Sequence, residues 1–166
     1  HGIFATGNGM EDYFQEVWKN QGLLLDGNVL NYGPVGPDPR IIISGESDII
    51  VWDHELDADG KVTKIHRDKA IGIEMKTCRG YFAKKMVFGI GNKMYPHGAP
   101  KYEHIMQTAM YLMMREKHEK HYNVKMDYYI IFYFAVDTGE YTQFKISLSN
   151  GYDGDIIVET MDGKAI

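Results

Sequence analysis

Apolar residues recur with helical spacing in two parts of the chain. The first set predicts a helix from about residue 9 to residue 20 and consists of Met10, Phe14, Val17 and Trp18. The second set predicts a helix from about residue 100 to residue 118 and consists of Ile105, Ala109, Leu112 and Met113. Residues 115–125 are strongly charged, so we expect them to end the second helix and to face solvent.

Apolar runs rich in β-branched residues predict strands elsewhere. Four such runs are residues 41–53, 70–77, 126–136 and 140–149. We expect Gly45 to form a tight turn that brings the two halves of the first run back antiparallel. The sequence Asp137-Thr138-Gly139 predicts a hairpin between the last two runs, and residues 155–166 predict a short edge strand with a turn.

The remaining segments are predicted to be connections. Residues 23–40 are dense in glycine and proline and predict a loop. Residues 53–69 contain a polar turn at residues 57–60 and predict an exposed excursion between the first two strand runs. The order of one helix, three strands, one helix and two strands predicts an α/β fold. No repeat or linker divides the chain, so residues 1–166 are predicted to be a single domain.

Composition narrows the class of protein. The chain has 166 residues, of which 44% are hydrophobic and 25% charged, and no apolar run approaches the roughly 20 residues of a membrane helix. We therefore expect a soluble protein that does not bind membranes. The single cysteine, Cys78, excludes an internal disulfide or a Cys-rich metal cluster built from this chain alone, and favours a reducing compartment. Since the chain begins with His1 rather than Met, we expect a trimmed chain or part of a longer polypeptide.

Positive charge is concentrated in one segment, although the net charge of the chain is −5. No Asp or Glu occurs between Met75 and Tyr102. The candidate nucleic-acid contacts in this interval are Arg79, Tyr81, Lys84, Lys85, Lys93 and Lys101. Lys and Arg neutralise phosphates and aromatic rings stack on unpaired bases, so the interval predicts a nucleic-acid surface. The alternative is a solvated loop.

Two carboxylates and a lysine are predicted to meet at one point of the sheet. Glu74 and Lys76 are two residues apart in a strand run, so their side chains share a face while Met75 points away. The antiparallel return expected at Gly45 would bring Asp48 to them. Carboxylates select Mg²⁺ or Mn²⁺, which activate water and neutralise phosphate, and a nearby lysine can orient or deprotonate the nucleophile. The group suits phosphodiester hydrolysis; the alternative is an ordinary hairpin with a surface ion pair.

The two predicted helices add further polar candidates. Glu11 lies at the edge of the apolar face of the first helix and is a candidate third metal ligand. Alternatively, Glu11 and Asp12 are acids favoured in a first turn by the helix dipole. Gln107 and Tyr111 are i, i+4 neighbours that lie off the core stripe of the second helix. They either line the groove that contains the candidate lysine or are surface residues.

Four motifs occur in a recognisable order along residues 5–136. They are an acidic residue in a first helix, Gly45-x-x-Asp48, Glu74-x-Lys76-Thr77 and Gln107-x-x-x-Tyr111. In this order the chain resembles the PD-(D/E)XK nuclease superfamily, and within it the RecB-like branch of phage and recombination exonucleases and CRISPR adaptation nucleases. The resemblance implies a mixed central β-sheet flanked by helices, with a restriction-endonuclease-like core.

The resemblance also implies roles for the matching residues. Asp48 and Glu74 correspond to the metal-ligating carboxylates, the backbone carbonyl of Met75 to a further ligand, and Lys76 to the catalytic lysine. The branch usually has a histidine where Glu11 aligns, which leaves Asp12 as the alternative helix ligand. Gln107 and Tyr111 match the helix motif that contacts DNA or the active-site groups. Relatives with an iron–sulfur cluster need four cysteines, so this chain resembles the members without one.

We therefore expect a Mg²⁺- or Mn²⁺-dependent nuclease that hydrolyses phosphodiester bonds of single- or double-stranded DNA. An exonuclease of DNA processing or recombination, in the cytoplasm of a prokaryotic or phage-infected cell, fits the resemblance. One alternative is a non-catalytic nucleic-acid-binding module of the same fold, which the presence of Asp48, Glu74 and Lys76 disfavours. The other is an RNA-directed endonuclease of the cap-snatching kind, which the pair of Gln107 and Tyr111 disfavours.

Overall fold

The structure is a computed structural model and describes residues 7–34, 40, 42–151 and 153–166. Within these ranges the helices are α1 (Gly7–Asn20), α2 (Tyr81–Phe88), α3 (Tyr102–Met113) and α4 (Glu116–Tyr122). The strands are β1 (Leu24–Pro34), β2 (Ile42–Leu56), β3 (Val62–Cys78), β4 (Tyr129–Ala135), β5 (Tyr141–Asn150) and β6 (Asp153–Thr160). No helix in these ranges is long and apolar enough to cross a membrane.

The six strands form one mixed sheet, in which they lie side by side in the order β1-β2-β3-β4-β5-β6. All neighbouring strands are antiparallel except β3 and β4, which are parallel. A parallel pair cannot be joined by a tight turn, so the chain crosses over between these strands, and the crossover carries α2, α3 and α4. The predicted α/β architecture with a mixed sheet and flanking helices is confirmed.

The two faces of the sheet carry separate hydrophobic cores. Successive side chains of a strand point to opposite faces, and along β4 the residues alternate between the cores accordingly. One core contains Tyr129, Ile131 and Tyr133 together with Ala109 and Leu112 of α3. The other contains Ile130, Phe132 and Phe134 together with Met10 of α1. Helices α1 and α3 therefore pack on opposite faces of the sheet.

Two predictions for the first half of the chain are wrong. Strand β1 occupies residues 24–34, where a loop is expected, because pairing along β2 overrides the weak local strand preference of this segment. Gly45 does not form a turn: it lies inside β2 and faces Asn31 of β1 in a continuous ladder. Residues 35–39 of the predicted loop and residue 41 of the first strand run lie outside the described residues.

Three connections also differ from the predictions. The expected excursion at residues 53–69 is only a short turn, in which the N–H of Asp57 donates to the carbonyl of Lys61 at 2.9 Å. The basic interval contains helix α2, which the sequence reading treats as a loop. Residues 115–125 are solvated only in part: most of these residues are exposed, as predicted, but Arg115 and His118 are buried. Nη1 and Nη2 of Arg115 donate to the carbonyls of Leu112 and Gly151 at 2.8 and 2.7 Å, so this side chain is hydrogen-bonded inside the fold.

The other elements occur where they are predicted. Helix α1 matches the first predicted helix, with its start at Gly7. The second predicted helix is divided into α3 and α4 at Met114, which has a non-helical backbone at the C-cap position. Residues 137–139 connect β4 to β5, and β6 is the edge strand at the end of the chain.

Candidate active site

Strands β2 and β3 separate at Ile49 and Ile73, and we call this separation the strand fork. Up to this pair the two strands are in antiparallel register. On the other side of it, the described part of β2 continues beside β1, and β3 continues beside β4. The next opposite positions in the same register are Asp48 and Glu74. Directly opposite residues of an antiparallel pair share a face, so the register brings these two carboxylates together at the mouth of the fork.

Hydrogen bonds and an ion pair fix the three central side chains. The N–H of Met75 donates to Asp48 Oδ2 at 2.7 Å, which satisfies a main-chain donor at the fork. Lys76 Nζ lies 3.5 Å from Glu74 Oε1. Glu74 is buried and Lys76 is half-buried, so they are not an exposed surface pair. The structure thus brings Asp48, Glu74 and Lys76 together.

Helix α3 connects the two arms of the strand fork. Lys76 Nζ donates to Gln107 Oε1 at 3.0 Å, and Gln107 Nε2 donates to Tyr111 Oη at 3.1 Å. Tyr111 Oη in turn donates to the backbone carbonyl of Glu46, on β2, at 3.2 Å. Gln107 and Tyr111 are therefore not ordinary surface residues: they hold the Lys76 side chain and tie β3 to β2.

Gly45 is needed at the strand fork because the Tyr111 ring approaches the backbone of β2 closely. A Cβ atom at Gly45 would lie 2.8 Å from Tyr111 Oη and 2.9 Å from Tyr111 Cε1. Neither distance leaves room for a carbon atom. The glycine that suggested a turn in the sequence instead provides space for the helix residue that joins the two arms.

Helix α1 brings Glu11 to the same group. Gln15 Nε2 of α1 donates to the backbone carbonyl of Asp48 at 3.4 Å. Partial burial, followed by the nearby Asp48, raises the pKa of Glu11 to about 7. The first turn of α1 contains no acid, so the helix dipole does not explain Glu11. Asp12 is exposed, and Glu11 is therefore the α1 carboxylate beside the fork.

Ionisation of the two central carboxyl groups is opposed by their surroundings. Burial and the adjacent Asp48 raise the pKa of Glu74 to about 9, against the attraction of Lys76. Burial also raises the pKa of Asp48, against the N–H of Met75. Glu74 Oε2 is buried and has no hydrogen-bond partner. A buried carboxylate oxygen without a donor needs a proton or a cation to compensate its lost hydration.

The carboxylate oxygens of this site are suitable ligands for a divalent cation. Hard carboxylate oxygens are the ligands that Mg²⁺ and Mn²⁺ prefer, and the unpartnered Glu74 Oε2 is a free ligand atom. No group of three His, Cys, Asp or Glu side chains in the described ranges is arranged closely enough to hold a metal ion. Asp48 and Glu74, which the strand fork brings together, stay two predicted ligands. Glu11 and the backbone carbonyl of Met75, whose N–H points to Asp48, also stay predicted ligands.

The predicted nucleic-acid contacts lie on and around α2, beyond the end of β3. Arg79, Tyr81, Lys93 and Lys101 are exposed, whereas Lys84 and Lys85 are half-buried. Lys84 Nζ lies 3.5 Å from Asp137 Oδ2, so part of its charge is neutralised within the protein. The interval is thus a helix and two turns with outward-facing cations rather than one extended loop.

One residue near the site was not predicted from the sequence. His104 Nδ1 lies 2.7 Å from Tyr133 Oη, which also accepts the N–H of Lys101 at 3.0 Å. Burial lowers the pKa of His104 to about 4, and the positive charge of Lys76 acts in the same direction. His104 is therefore a neutral side chain close to Lys76. Its spacing of three residues from Gln107 on α3 is the signal that could have identified it.

Comparison with known proteins adds information about the fold only. No protein-family model matches the chain, and no curated protein matches it. Among solved structures, the chain is similar to the one described as "Crystal structure of SSO0001", with 20% sequence identity and a TM-score of 0.50. The similarity covers 85% of this chain and 49% of that one, so the present chain spans about half the length of that protein. At this level of identity the similarity concerns the chain fold alone.

Proposed function

We propose that this protein is a Mg²⁺- or Mn²⁺-dependent nuclease that hydrolyses DNA phosphodiester bonds, an exonuclease of DNA processing or recombination in the cytoplasm. The observation that carries the proposal is the convergence of Asp48, Glu74 and Lys76 at the strand fork. A buried carboxylate oxygen without a hydrogen-bond partner needs a proton or a cation, and the second carboxylate of Asp48 beside it favours a cation. The order of motifs that resembles the PD-(D/E)XK superfamily supports the same reading.

Each residue of the site has a role that follows from its contacts. Asp48 and Glu74, assisted by Glu11, would hold the cation, which supplies charge neutralisation at the phosphate and a lower pKa for water. Lys76 orients the attacking water, because its ammonium stands beside Glu74 and carries donors that Gln107 does not use. Gln107 is a positioning residue, since it fixes the Lys76 side chain by accepting its hydrogen bond.

The substrate class follows from charge. Along the chain, the strand fork is followed directly by the cations of the interval after Met75, which contains no acid before Glu103. An anionic polymer is therefore attracted to this side of an otherwise acidic protein. DNA is the preferred assignment because the Gln107 and Tyr111 motif resembles that of the RecB-like branch.

A panel of linear and circular, single- and double-stranded DNA, with single-stranded RNA in parallel, tests the proposal. We expect wild-type protein to degrade DNA in Mn²⁺ and Lys76→Ala to lower the rate at least about a hundredfold, the range of a lost acid–base or positioning group. Lys64→Ala is the matched control, because Lys64 is an exposed lysine of the same strand, away from the fork.

The outcomes separate the proposed nuclease from its rivals. Preference of linear over circular DNA identifies an exonuclease. Binding of DNA without cleavage in Mn²⁺ identifies a non-catalytic module, and cleavage of RNA alone identifies an RNA-directed endonuclease. Equal rates for the wild type and Lys76→Ala would remove the assigned role of the lysine.

A further inference from the structure

A surface formed by α2 and the segments next to it combines exposed apolar side chains with cations; we call it the α2 surface. Its large apolar members are Tyr81, Phe82, Met86, Ile90, Met94 and Tyr102. Its cations are Arg79, Lys84, Lys85, Lys93 and Lys101. Six of the thirteen large hydrophobic side chains that are exposed in the described residues lie in α2 or in the chain segments next to it. Such clustering of apolar groups marks an interaction site rather than scattered surface exposure.

The exposure of individual rings on this surface is unusually high. Phe82 is 82% exposed, Tyr102 is 74% exposed and Tyr81 is 62% exposed. Burial of a phenylalanine side chain is favourable, so a ligand that covered Phe82 would gain binding free energy from this ring. The Tyr81 and Phe82 rings lie edge to face, with centroids 5.6 Å apart. Their outer faces and edges are available to a ligand.

The backbone beneath these rings is held firmly. Val87, on the inner side of α2, is fully buried. The N–H of Ala99 donates to the carbonyl of Met86 at 2.9 Å, and Gly98 packs so closely on Val87 that a Cβ there would be 1.9 Å from its carbonyl oxygen. Helix α2 is therefore packed on the rest of the protein through one side. Its other side exposes apolar side chains although the helix is firmly attached.

The α2 surface adjoins the strand fork. Helix α2 begins three residues after Cys78, the last residue of the strand that carries Glu74 and Lys76. Burial raises the pKa of the Cys78 thiol, and Lys101 and Lys84 act in the opposite direction, which places both cations near the end of β3. Lys101 also borders His104, which lies close to Lys76. Lys101 and Lys84 thus lie near the end of the strand that carries the candidate site, where Lys84 is paired with Asp137.

This combination matches the chemistry of unpaired nucleotides. Exposed base faces stack on aromatic rings, and the phosphates between them pair with Lys and Arg. The base faces of a duplex are stacked inside the double helix. A duplex can therefore pair with the cations of such a protein surface but cannot stack on the aromatic side chains. We infer that the α2 surface binds a single-stranded DNA segment by base stacking and leads it to the strand fork, an inference that rests on the proposed nuclease function.

A second copy of the chain is a poorer occupant. Two copies that met symmetrically through this surface would bring the same cations face to face, and of these cations Lys84 is paired with Asp137 while Arg79, Lys93 and Lys101 are exposed. Like charges opposed in an interface cost free energy, whereas a polyanion is attracted by them. Charge complementarity therefore favours the nucleic acid.

Binding is measured by fluorescence anisotropy with a labelled oligo-dT strand and a duplex of equal length. EDTA is present, so that no cleavage can occur. We expect the wild type to bind the single strand more tightly, and Phe82→Ala to weaken single-strand binding about tenfold, the effect of one lost stacked base. Duplex binding should change little. The stacking fluorophore 2-aminopurine, placed in the strand, should lose its quenching in the same variant.

Matched variants distinguish stacking from other effects of the substitution. Phe82→Trp should keep or strengthen single-strand binding, whereas Phe82→Leu, which is apolar but has no ring, should weaken it as Phe82→Ala does. Tyr81→Ala should also weaken binding. Tyr141→Ala is its control, because Tyr141 is 60% exposed but lies outside the α2 surface. Circular dichroism confirms that each variant is folded.

Several results would overturn the inference. They are equal affinity for single strand and duplex, unchanged binding in Phe82→Ala and Tyr81→Ala, or full retention in Phe82→Leu. Dimerisation or binding to anionic vesicles that depends on Phe82 would assign the surface to another occupant. A failure of the proposed function is distinguishable, because it appears as absent cleavage in Mn²⁺ while ring-dependent single-strand binding in EDTA persists.

Discussion

Glu74 is the residue whose surroundings depart most from those of an ordinary acid. It is buried, one of its carboxylate oxygens has no partner, and its nearest acidic neighbour is Asp48. The attraction of Lys76 does not outweigh these effects, since the pKa of Glu74 is raised to about 9. Without a cation, the folded protein therefore holds a proton on this carboxyl group that the unfolded chain would release.

Glu74→Gln should make the metal-free protein more stable at alkaline pH. The pKa of Glu74 is 4.5 in the unfolded chain and about 9 in the folded protein. The folded state therefore loses stability relative to the unfolded state as the pH rises from 4.5 to about 9. Glutamine has the same shape and no charge, so it avoids this loss. We expect the melting temperatures in EDTA to be similar near the ordinary pKa and to diverge in favour of Glu74→Gln as the pH approaches 9.

The control for this prediction is Glu16→Gln, which changes an exposed acid of α1. It should follow the wild type at every pH. A melting temperature for Glu74→Gln that stays below the wild type throughout the range would show that ionised Glu74 stabilises the fold by itself.

At the scale of elements, helix α3 determines how the strand fork is held. It contacts β3 through Gln107 and β2 through Tyr111. The sequence predicts the helix, because Ala109 and Leu112 have core spacing and both are buried. The sequence does not predict the bridge, since that depends on the distance between two strands that are not hydrogen-bonded to each other at this point.

Gly45→Ala tests this bridge, because the added Cβ would meet Tyr111 at 2.8 Å. The backbone of Gly45 is that of an ordinary strand, so the cost comes from crowding and from the strained Tyr111–Glu46 hydrogen bond. We expect a destabilisation of about 1–3 kcal/mol, typical of overpacking, measured by urea unfolding.

A double-mutant cycle gives the control for Gly45→Ala. In a Tyr111→Leu background the side chain is shorter, so the same Gly45→Ala change should be close to neutral. Equal costs in both backgrounds would mean that the glycine serves the backbone of β2 and not the contact with α3.

Element predictions from the sequence succeed where local pattern and tertiary structure agree. The hairpin at residues 137–139 and helix α1 have strong local signals, and both are present. Residues 24–34 have weak strand preference and become β1 only because β2 pairs with them. The prediction of a turn at Gly45 is wrong for a related reason. The sequence context of Gly45 indicates a turn, whereas its close contact with the Tyr111 ring depends on the three-dimensional fold.

At the scale of the whole molecule, we expect the fold to form without a metal. Two cores of buried apolar residues lie on the two faces of the sheet, and neither uses the site carboxylates. A domain of this size obtains its stability from such burial. We therefore expect Mg²⁺ or Mn²⁺ to be required for the proposed DNA cleavage and to raise the stability of the folded protein, but not to be required for folding.

Chelation tests this separation. In EDTA we expect an unchanged far-UV circular dichroism spectrum and no DNA cleavage, with cleavage restored by Mn²⁺. Mn²⁺ at about one hundred times its dissociation constant should raise the melting temperature by roughly 8 °C, as expected for a ligand that binds only the folded state. Asp48→Asn should lose most of this rise. An equal rise in Asp48→Asn would place the ion elsewhere.

The candidate site is more predictable from the sequence than the complete fold. Glu74 and Lys76 are separated by one residue, so the strand period alone puts them on one face. The meeting of Asp48 with Glu74 was predicted through a turn at Gly45, but it arises from the register of β2 and β3 at the fork. His104 and the Glu46 carbonyl were missed, because their part in the site depends on packing between distant elements.

The strand fork also has a consequence for the order in which the chain folds. The Asp48–Met75 bond spans 27 residues of sequence and the Lys76–Gln107 bond spans 31, whereas the Tyr111–Glu46 bond spans 65. Loop closure costs more entropy as the loop lengthens. The Asp48–Met75 and Lys76–Gln107 hydrogen bonds are therefore expected to form before the Tyr111–Glu46 hydrogen bond. We therefore expect the closure of α3 onto β2 to come last, so that the candidate site is complete only when the polypeptide has reached its final topology.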